Sequence, residues 1–209
     1  MMPRAARTLT LAAVAALLVA GCSGDPGGSA DADGDNEQQG SAELPHSGAP
    51  AVEDPIVADI APYEDDPCRT IDDALLAEAG FTYEDTAADT DVQGDPICHW
   101  HASDGSSYGV TVMVSNTEGL SGIYANHAGG GLGLFEELDP VSGYPAVAAS
   151  QSDARDIGIC TVAVGIRDDL AVSANFTVGT GEDARYEDTP CQGAHELAEV
   201  VVATLQGES

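Results

Sequence analysis

Five cysteines constrain this chain of 209 residues more than any other feature. One of them, Cys22, follows an apolar N-terminal stretch, and the other four are spread over the remaining chain: Cys68, Cys98, Cys160 and Cys191. If the apolar stretch before Cys22 exports the chain, the even number of remaining cysteines predicts disulfides, because thiols are oxidised outside the cytoplasm. We therefore expect these four cysteines to form two disulfides, for which three connectivities exist.

The surroundings of the four cysteines favour one connectivity. Cys68 and Cys191 each directly follow a proline, at or just before a predicted helix start. Cys98 and Cys160 each occupy a core-facing position of a predicted strand. These matched settings favour the pairs Cys68–Cys191 and Cys98–Cys160. A thiol redox centre or a metal centre is disfavoured, because the C-x-x-C spacing is missing from the sequence.

Residues 1–21 have the three parts of an export signal. Arg4 and Arg7 supply positive charge, and residues 9–20 are apolar but too few to span ~30 Å of hydrocarbon as a permanent helix. Small residues then precede Cys22, and residues 18–22 resemble the lipobox of bacterial lipoproteins. The resemblance implies that residues 1–21 are a lipoprotein signal peptide and that Cys22 carries fatty acyl chains such as palmitate. The mature chain would then be lipid-anchored at the outer face of the cell membrane. The alternative is an ordinary secretory signal with an incidental cysteine.

The charge of the chain is strongly acidic and excludes one class of partner. The sequence contains no Lys, and six Arg stand against 36 Asp and Glu residues, for a net charge of −30 at pH 7. Removal of residues 1–21 would leave only four Arg. Because such a surface repels the phosphate backbone, nucleic acid is not expected as a partner.

A change of composition divides the exported chain in two. Residues 23–51 are mostly Gly, Ser, Asp, Ala, Gln and Pro, and they contain a single large aliphatic residue, Leu44. Such a segment buries too little apolar area to offset the entropy of ordering it. We expect residues 22–60 to be the lipidated cysteine and a disordered acidic tether, and residues 61–209 to form one domain.

The domain begins with a predicted helix and a predicted hairpin. Thr70 is expected to cap a helix over residues 71–79, which Gly80 ends. Apolar and polar residues then alternate over residues 97–102 and 108–115, which predicts two strands joined by a turn.

A second helix, more strands and a third helix follow. Apolar residues at helical spacing predict a short helix over residues 120–127, and residues 144–149 are expected to form a strand. Residues 160–166 and 170–178 form the clearest hairpin, and a long apolar stripe predicts a helix over residues 190–206. We therefore predict an α+β fold, with an antiparallel β-sheet, packed N-terminal and C-terminal helices, and two disulfides.

Five short motifs of the domain resemble those of a known family. In chain order they are Asp66-Pro67-Cys68, Cys98-His99-Trp100, Gly143-Tyr144-Pro145-Ala146-Val147, a single strand cysteine Cys160, and Pro190-Cys191. Together with the lipobox, this order resembles the actinobacterial surface lipoproteins grouped as domain of unknown function 3558, from about residue 61 to the end. The family tends to have Asp where this chain has Thr189. The resemblance implies anchoring and paired cysteines, but no activity.

The candidate catalytic residues lack the neighbouring residues or the local structure that their chemistry requires. His99 and His101 share one strand face, where two imidazoles and a carboxylate could bind a metal, but no third ligand has a motif spacing. Ser107 is the serine of a G-x-S-x-G motif, yet it lies in a predicted hairpin and not in a strand-to-helix turn.

We therefore expect no catalytic residue, no metal and no cofactor. The sequence favours a non-enzymatic envelope module that binds or senses an unknown ligand or envelope protein. The alternative is a secreted hydrolase or metal-dependent enzyme that uses His99, His101 and nearby carboxylates.

Overall fold

Seven strands form one antiparallel sheet, and apolar and polar residues alternate in its central strands. The computed structural model describes residues 43–180 and 185–207. The strands are Asp85–Thr90 (β1), Pro96–His101 (β2), Ser107–Val112 (β3), Leu134–Glu137 (β4), Ala146–Ser150 (β5), Ile159–Arg167 (β6) and Leu170–Thr177 (β7). Their order in the sheet is β1-β2-β3-β7-β6-β5-β4, so β1 and β4 are its edges.

The described helices pack on both faces of this sheet. They are Ala61–Asp65 (α1), Asp73–Glu78 (α2), Gly119–Ala128 (α3) and Pro190–Gly207 (α4), with 3₁₀ turns at Pro67–Thr70 and Arg155–Ile157. The long helix α4 lies over β6 and β7. Its Gly193 permits this close approach, since a Cβ atom there would lie 2.8 Å from the Phe176 ring. The predicted α+β class, with helices packed on an antiparallel sheet, is confirmed.

The structure contains two disulfides, as predicted, but the predicted pairing of the four cysteines is wrong. Cys68 bonds to Cys98 and Cys160 bonds to Cys191, with Cα–Cα distances of 5.0 and 4.9 Å. The predicted Cys98–Cys160 bond cannot form, because β3 and β7 lie between β2 and β6. Three strand spacings amount to about 14 Å, whereas a disulfide needs Cα atoms within about 7 Å. Each observed bond instead joins a helical segment to the strand beneath it.

The segment before α1 packs against the sheet. The Val52 N–H donates a hydrogen bond to Asp168 Oδ1, and the Ile56 N–H donates to the Ile166 carbonyl, both at 2.9 Å. Ile56 is only 4% exposed and belongs to the main hydrophobic core. These contacts tie the segment to the β6–β7 hairpin.

The predicted tether is therefore wrong for residues 46–58, which we call the strap. The backbone N–H of His46 donates to Ser121 Oγ at 2.9 Å, and Ala58 at the other end is buried. The packed part of the chain thus begins before the predicted boundary at residue 61. The predicted signal peptide, Cys22 and the tether up to residue 42 lie outside the described residues.

The strap makes a testable contribution to stability. Replacing Ile56 by Ala should lower the free energy of unfolding by about 2–5 kcal/mol, the usual cost of truncating a buried Ile. The neighbouring Val57 is 78% exposed, and Val57→Ala should change the free energy of unfolding by less than about 0.5 kcal/mol. Chemical denaturation of the full chain measures both values. Equal, small effects of the two substitutions would show that the strap is not part of the core.

Candidate ligand-binding cleft

The two faces of the sheet differ in how they are covered. The face that carries Trp100, Val110 and Phe176 is buried in the main core beneath α4. On the opposite face, which we call the open face, α3 covers only part of the sheet. Leu120 and Tyr124 of α3 pack there against Val147, Ala163 and Ala171. The polar positions of β3 and β7 next to α3 therefore line a depression.

Local sequence fixes the position of α3 at one end. Gly119 begins the helix with φ of 51°, and a Cβ atom there would lie 2.5 Å from the Asp168 carbonyl oxygen. Glycine is needed at this position for both reasons. Further along, the Tyr124 hydroxyl donates to Glu137 Oε1 of β4 at 2.9 Å. The helix is thereby held against both the β6–β7 turn and the β4 edge.

Between α3 and the loops at the ends of β1 and β3 lies a cleft of about 540 Å³. This volume is within the usual range of small-molecule sites, about 300–1,000 Å³. Thr111, Ser173 and Ala163 form a row across its floor, since they are register partners on β3, β7 and β6. The walls come from three segments: the turn Asp91, Gln93 and Asp95; the α3 region Ser115, Asn116, Glu118, Gly122, Ile123 and Asn126; and Leu132 with Ala149, Ser150 and Gln151.

The β1–β2 turn is held rigidly at the cleft by two aspartates. Asp91 Oδ1 accepts hydrogen bonds from the backbone N–H groups of Gln93 and Asp95, both at 2.9 Å. The Asp95 carboxylate is buried and accepts from the N–H of Ser115 at 2.6 Å and from its hydroxyl at 2.8 Å. These bonds join the turn to the chain that leaves β3.

Several polar side chains of the cleft have no partner within the described part of the protein. They are those of Gln93, Thr111, Asn126, Gln151 and Ser173, none of which hydrogen-bonds to another residue in 43–180 or 185–207. Thr111 is notable among them because it is only 7% exposed. Among the described residues only His46 Nε2 is a fully enclosed side-chain atom without a partner, so the small exposed area of Thr111 includes its hydroxyl oxygen. The Thr111 hydroxyl therefore opens onto the floor of the cleft and can bond a molecule there.

The electrostatic character of the cleft is acidic. Asp91, Asp95 and Glu118 line it, and no Arg or His is found among its described lining residues. The imidazole of His46 in the strap lies outside this lining, with its Nε2 3.5 Å from Glu118 Oε1. In a chain of net charge −30, this cleft disfavours anionic ligands.

The candidate histidines lie on the open face but outside the cleft. His99 and His101 project to the same side of β2, as predicted, with ring centroids 6.4 Å apart and nearly parallel planes. Across residues 43–180 and 185–207, no three His, Cys, Asp or Glu side chains are arranged to hold a metal ion. Ser107 is the first residue of β3, so the G-x-S-x-G motif lies in a hairpin. The register pairs Ser107 with His101, so both lie together with His99 on the open face. Within residues 43–180 and 185–207, however, the Ser107 hydroxyl makes no hydrogen bond to either imidazole.

The contact between Tyr124 and Glu137 predicts a pH effect. Burial, followed by this hydrogen bond, raises the pKa of Tyr124 from 10.0 to about 12. Because the folded state holds this proton more tightly, the contact stabilises the protein below pH 10 and is lost as the pH rises towards 12. The melting temperature of the full chain should fall more steeply between pH 10 and 12 than that of Tyr124→Phe. Parallel curves for the two proteins would contradict this.

Sequence reasoning missed the residues of the cleft. Thr111 and Ser173 stand at polar positions between core residues of their strands, and this alternation was the available signal. Many exposed strands show the same alternation, so it does not distinguish a cleft from an ordinary solvated face. Only the placement of α3 and of the β1–β2 turn makes these two residues part of a site.

A family model described as a protein of unknown function, DUF3558, matches residues 17–204 of the chain. Comparison with curated proteins and with solved structures found no match. Among the helices of the described residues, none has the length and apolar character needed to cross a membrane.

Proposed function

The chain belongs to the DUF3558 family, and we propose that it is a lipid-anchored, extracytoplasmic binding module whose ligand site is the cleft on the open face. The family has no described activity to transfer. The proposal therefore depends on this chain's own residues. It is supported by the lipobox-like segment before Cys22 and by the cleft beside α3.

One observation carries the binding part of the proposal. Thr111 lies on the floor of the cleft, is 7% exposed, and has a hydroxyl without a hydrogen-bond partner among the described residues. Four further polar side chains around it are also free to bond a ligand. This hydroxyl opens onto the floor of the cleft and is not sealed in the core. A ligand site uses a few polar groups placed in this way to orient the bound molecule.

The anchoring part is tested by intact mass measurement of the chain from the membrane fraction. The expected product begins at an acylated Cys22, and Cys22→Ala should move the chain out of that fraction, since the lipid provides the attachment. A soluble, unmodified chain that retains residues 1–21 would contradict anchoring.

The binding part is tested with a variant that fills the cleft. The full chain and Ser173→Trp are compared in thermal melts against a library of small polar metabolites, with Thr177→Trp as the control. Thr177 lies on the same strand and face but does not line the cleft. A compound that raises the melting temperature of the wild type and of the control, but not of Ser173→Trp, is expected. Identical responses of all three proteins to every compound would contradict the proposal.

A further inference from the structure

We propose that the cleft binds a small hydroxyl-rich molecule that carries a protonated amine, in chemical class an amino sugar. This inference rests on the proposed function, since it names the ligand class of the same cleft. The hydrogen-bonding groups, the apolar surface and the charge of the lining residues support it.

The free polar groups of the cleft match hydroxyl groups. Thr111 and Ser173 contribute hydroxyls from the floor, and Gln93, Asn126 and Gln151 contribute primary amides from the walls. Hydroxyls and primary amides both donate and accept hydrogen bonds, as the hydroxyls of a sugar do. A ligand with several hydroxyls could therefore engage all of these groups without leaving a donor or an acceptor buried and unpaired.

Apolar side chains complete the lining between these polar groups. Met113 and Ile123 pack with Ala149 and Ala163 in the hydrophobic cluster between α3 and the open face. Leu132 also lines the cleft. Such a surface suits the carbon-bound hydrogens of a sugar ring. A fully charged, strongly hydrated ion would gain little from it.

The carboxylates of the cleft select the charge of the ligand. Both oxygens of Asp95 are occupied by Ser115, but Asp91 bonds its neighbours through Oδ1 only. Its Oδ2 accepts no hydrogen bond from any other residue that the structure describes. Glu118 also lines the cleft. A protonated amine would pair with Asp91 or Glu118, whereas a ligand carboxylate or phosphate would be repelled.

The first experiment compares three sugars of one ring type by calorimetric titration of the full chain. At about pH 6, glucosamine is positively charged, glucose is neutral and glucuronate is negatively charged. This pH lies below the pKa of an amine next to electron-withdrawing groups and above that of a carboxylic acid. Glucosamine should bind about tenfold more tightly than glucose, the effect of one favourable charge pair in a partly enclosed site. Glucuronate should give no measurable heat of binding.

Matched variants place this binding in the cleft. Thr111→Val removes the hydroxyl at nearly constant shape and should weaken glucosamine binding about two- to tenfold. Asp91→Asn keeps the acceptor that holds the turn but removes the charge, and it should weaken glucosamine binding while leaving glucose binding unchanged. The controls are Thr177→Val and Asp85→Asn, which lie on the sheet outside the cleft and should bind glucosamine as the wild type does.

The outcomes separate the ligand class from the proposed function. If glucose or glucuronate binds as tightly as glucosamine and Thr111→Val weakens that binding, the cleft is a ligand site but the amine class is overturned. If Asp85→Asn weakens glucosamine binding as much as Asp91→Asn, the attraction is a general effect of the acidic surface, and the inference fails. If no sugar gives binding that depends on Thr111, the inference fails, and the library screen with Ser173→Trp then decides the proposed function separately.

Discussion

Replacing Cys160 and Cys191 together by Ala should lower the free energy of unfolding by about 3–4 kcal/mol. The bond joins residues separated by 31 positions, and the entropy of closing a loop of that length in the unfolded chain accounts for a loss of about this size. It also joins the first turn of α4 to β6, where Cys160 is only 2% exposed. A loss of this size is a large part of the total stability of an ordinary domain.

Denaturant unfolding of the full chain measures this loss, and peptide mapping without reduction shows that the other bond is intact. The matched variant replaces Cys68 and Cys98 by Ala, which opens a loop of 30 positions and should cost a similar amount. A Cys68–Cys191 peptide in the map of the wild type would contradict the connectivity. An unfolding free energy unchanged by the Cys160 and Cys191 replacements would contradict their structural role.

Replacing Phe176 by Ala should cost about 3–5 kcal/mol, because the ring is buried at the centre of an aromatic cluster. Its centroid lies 6.1 Å from that of Phe81, 5.7 Å from Tyr108 and 5.2 Å from Tyr186. Helix α4 also rests on this ring through Gly193. Truncation would therefore leave a cavity between the sheet and its longest helix.

The matched control for this substitution is Phe135→Ala. Phe135 lies at the β4 edge on the open face, is only half-buried and stacks against His127, with ring centroids 4.0 Å apart. Its truncation should cost clearly less, since part of the vacated space is open to water. Denaturation curves of both variants measure the difference. If Phe176→Ala cost no more than Phe135→Ala, the aromatic cluster would not be the centre of the core.

The strands that alternate most strongly could be predicted from sequence, and the edge strands could not. The hairpin of β6 and β7 was expected to within a residue or two, because one face of each strand lies in the core. Strand β1 has the sequence Asp-Thr-Ala-Ala-Asp-Thr and is exposed along its whole length. With neither face buried, it has no apolar alternation to recognise, and it forms by pairing with β2.

Capping and cysteine pairing show the same limit of local reasoning. Thr70 was expected to cap α2, but its hydroxyl donates to the Pro67 carbonyl at 2.6 Å within a 3₁₀ turn. Asp72, two positions later, accepts from the N–H groups of Ala74 and Leu75 instead and begins the helix. Matched sequence settings likewise suggested that Cys98 and Cys160 pair, although the strand order keeps them apart. Local residue types do not report distances across a sheet.

The central claim is that the cleft on the open face is the ligand site, and its most direct test is an NMR titration of the labelled full chain with glucosamine. Amide shifts are predicted to concentrate at Gln93, Thr111 and Ser173 and at the first turns of α3, and to require about two- to tenfold more glucosamine in Thr111→Val. A second cavity of about 600 Å³ lies beside Arg69 and Trp100, against the covered face of the sheet. Shifts that concentrate there, or that spread evenly over the acidic surface, would contradict the claim.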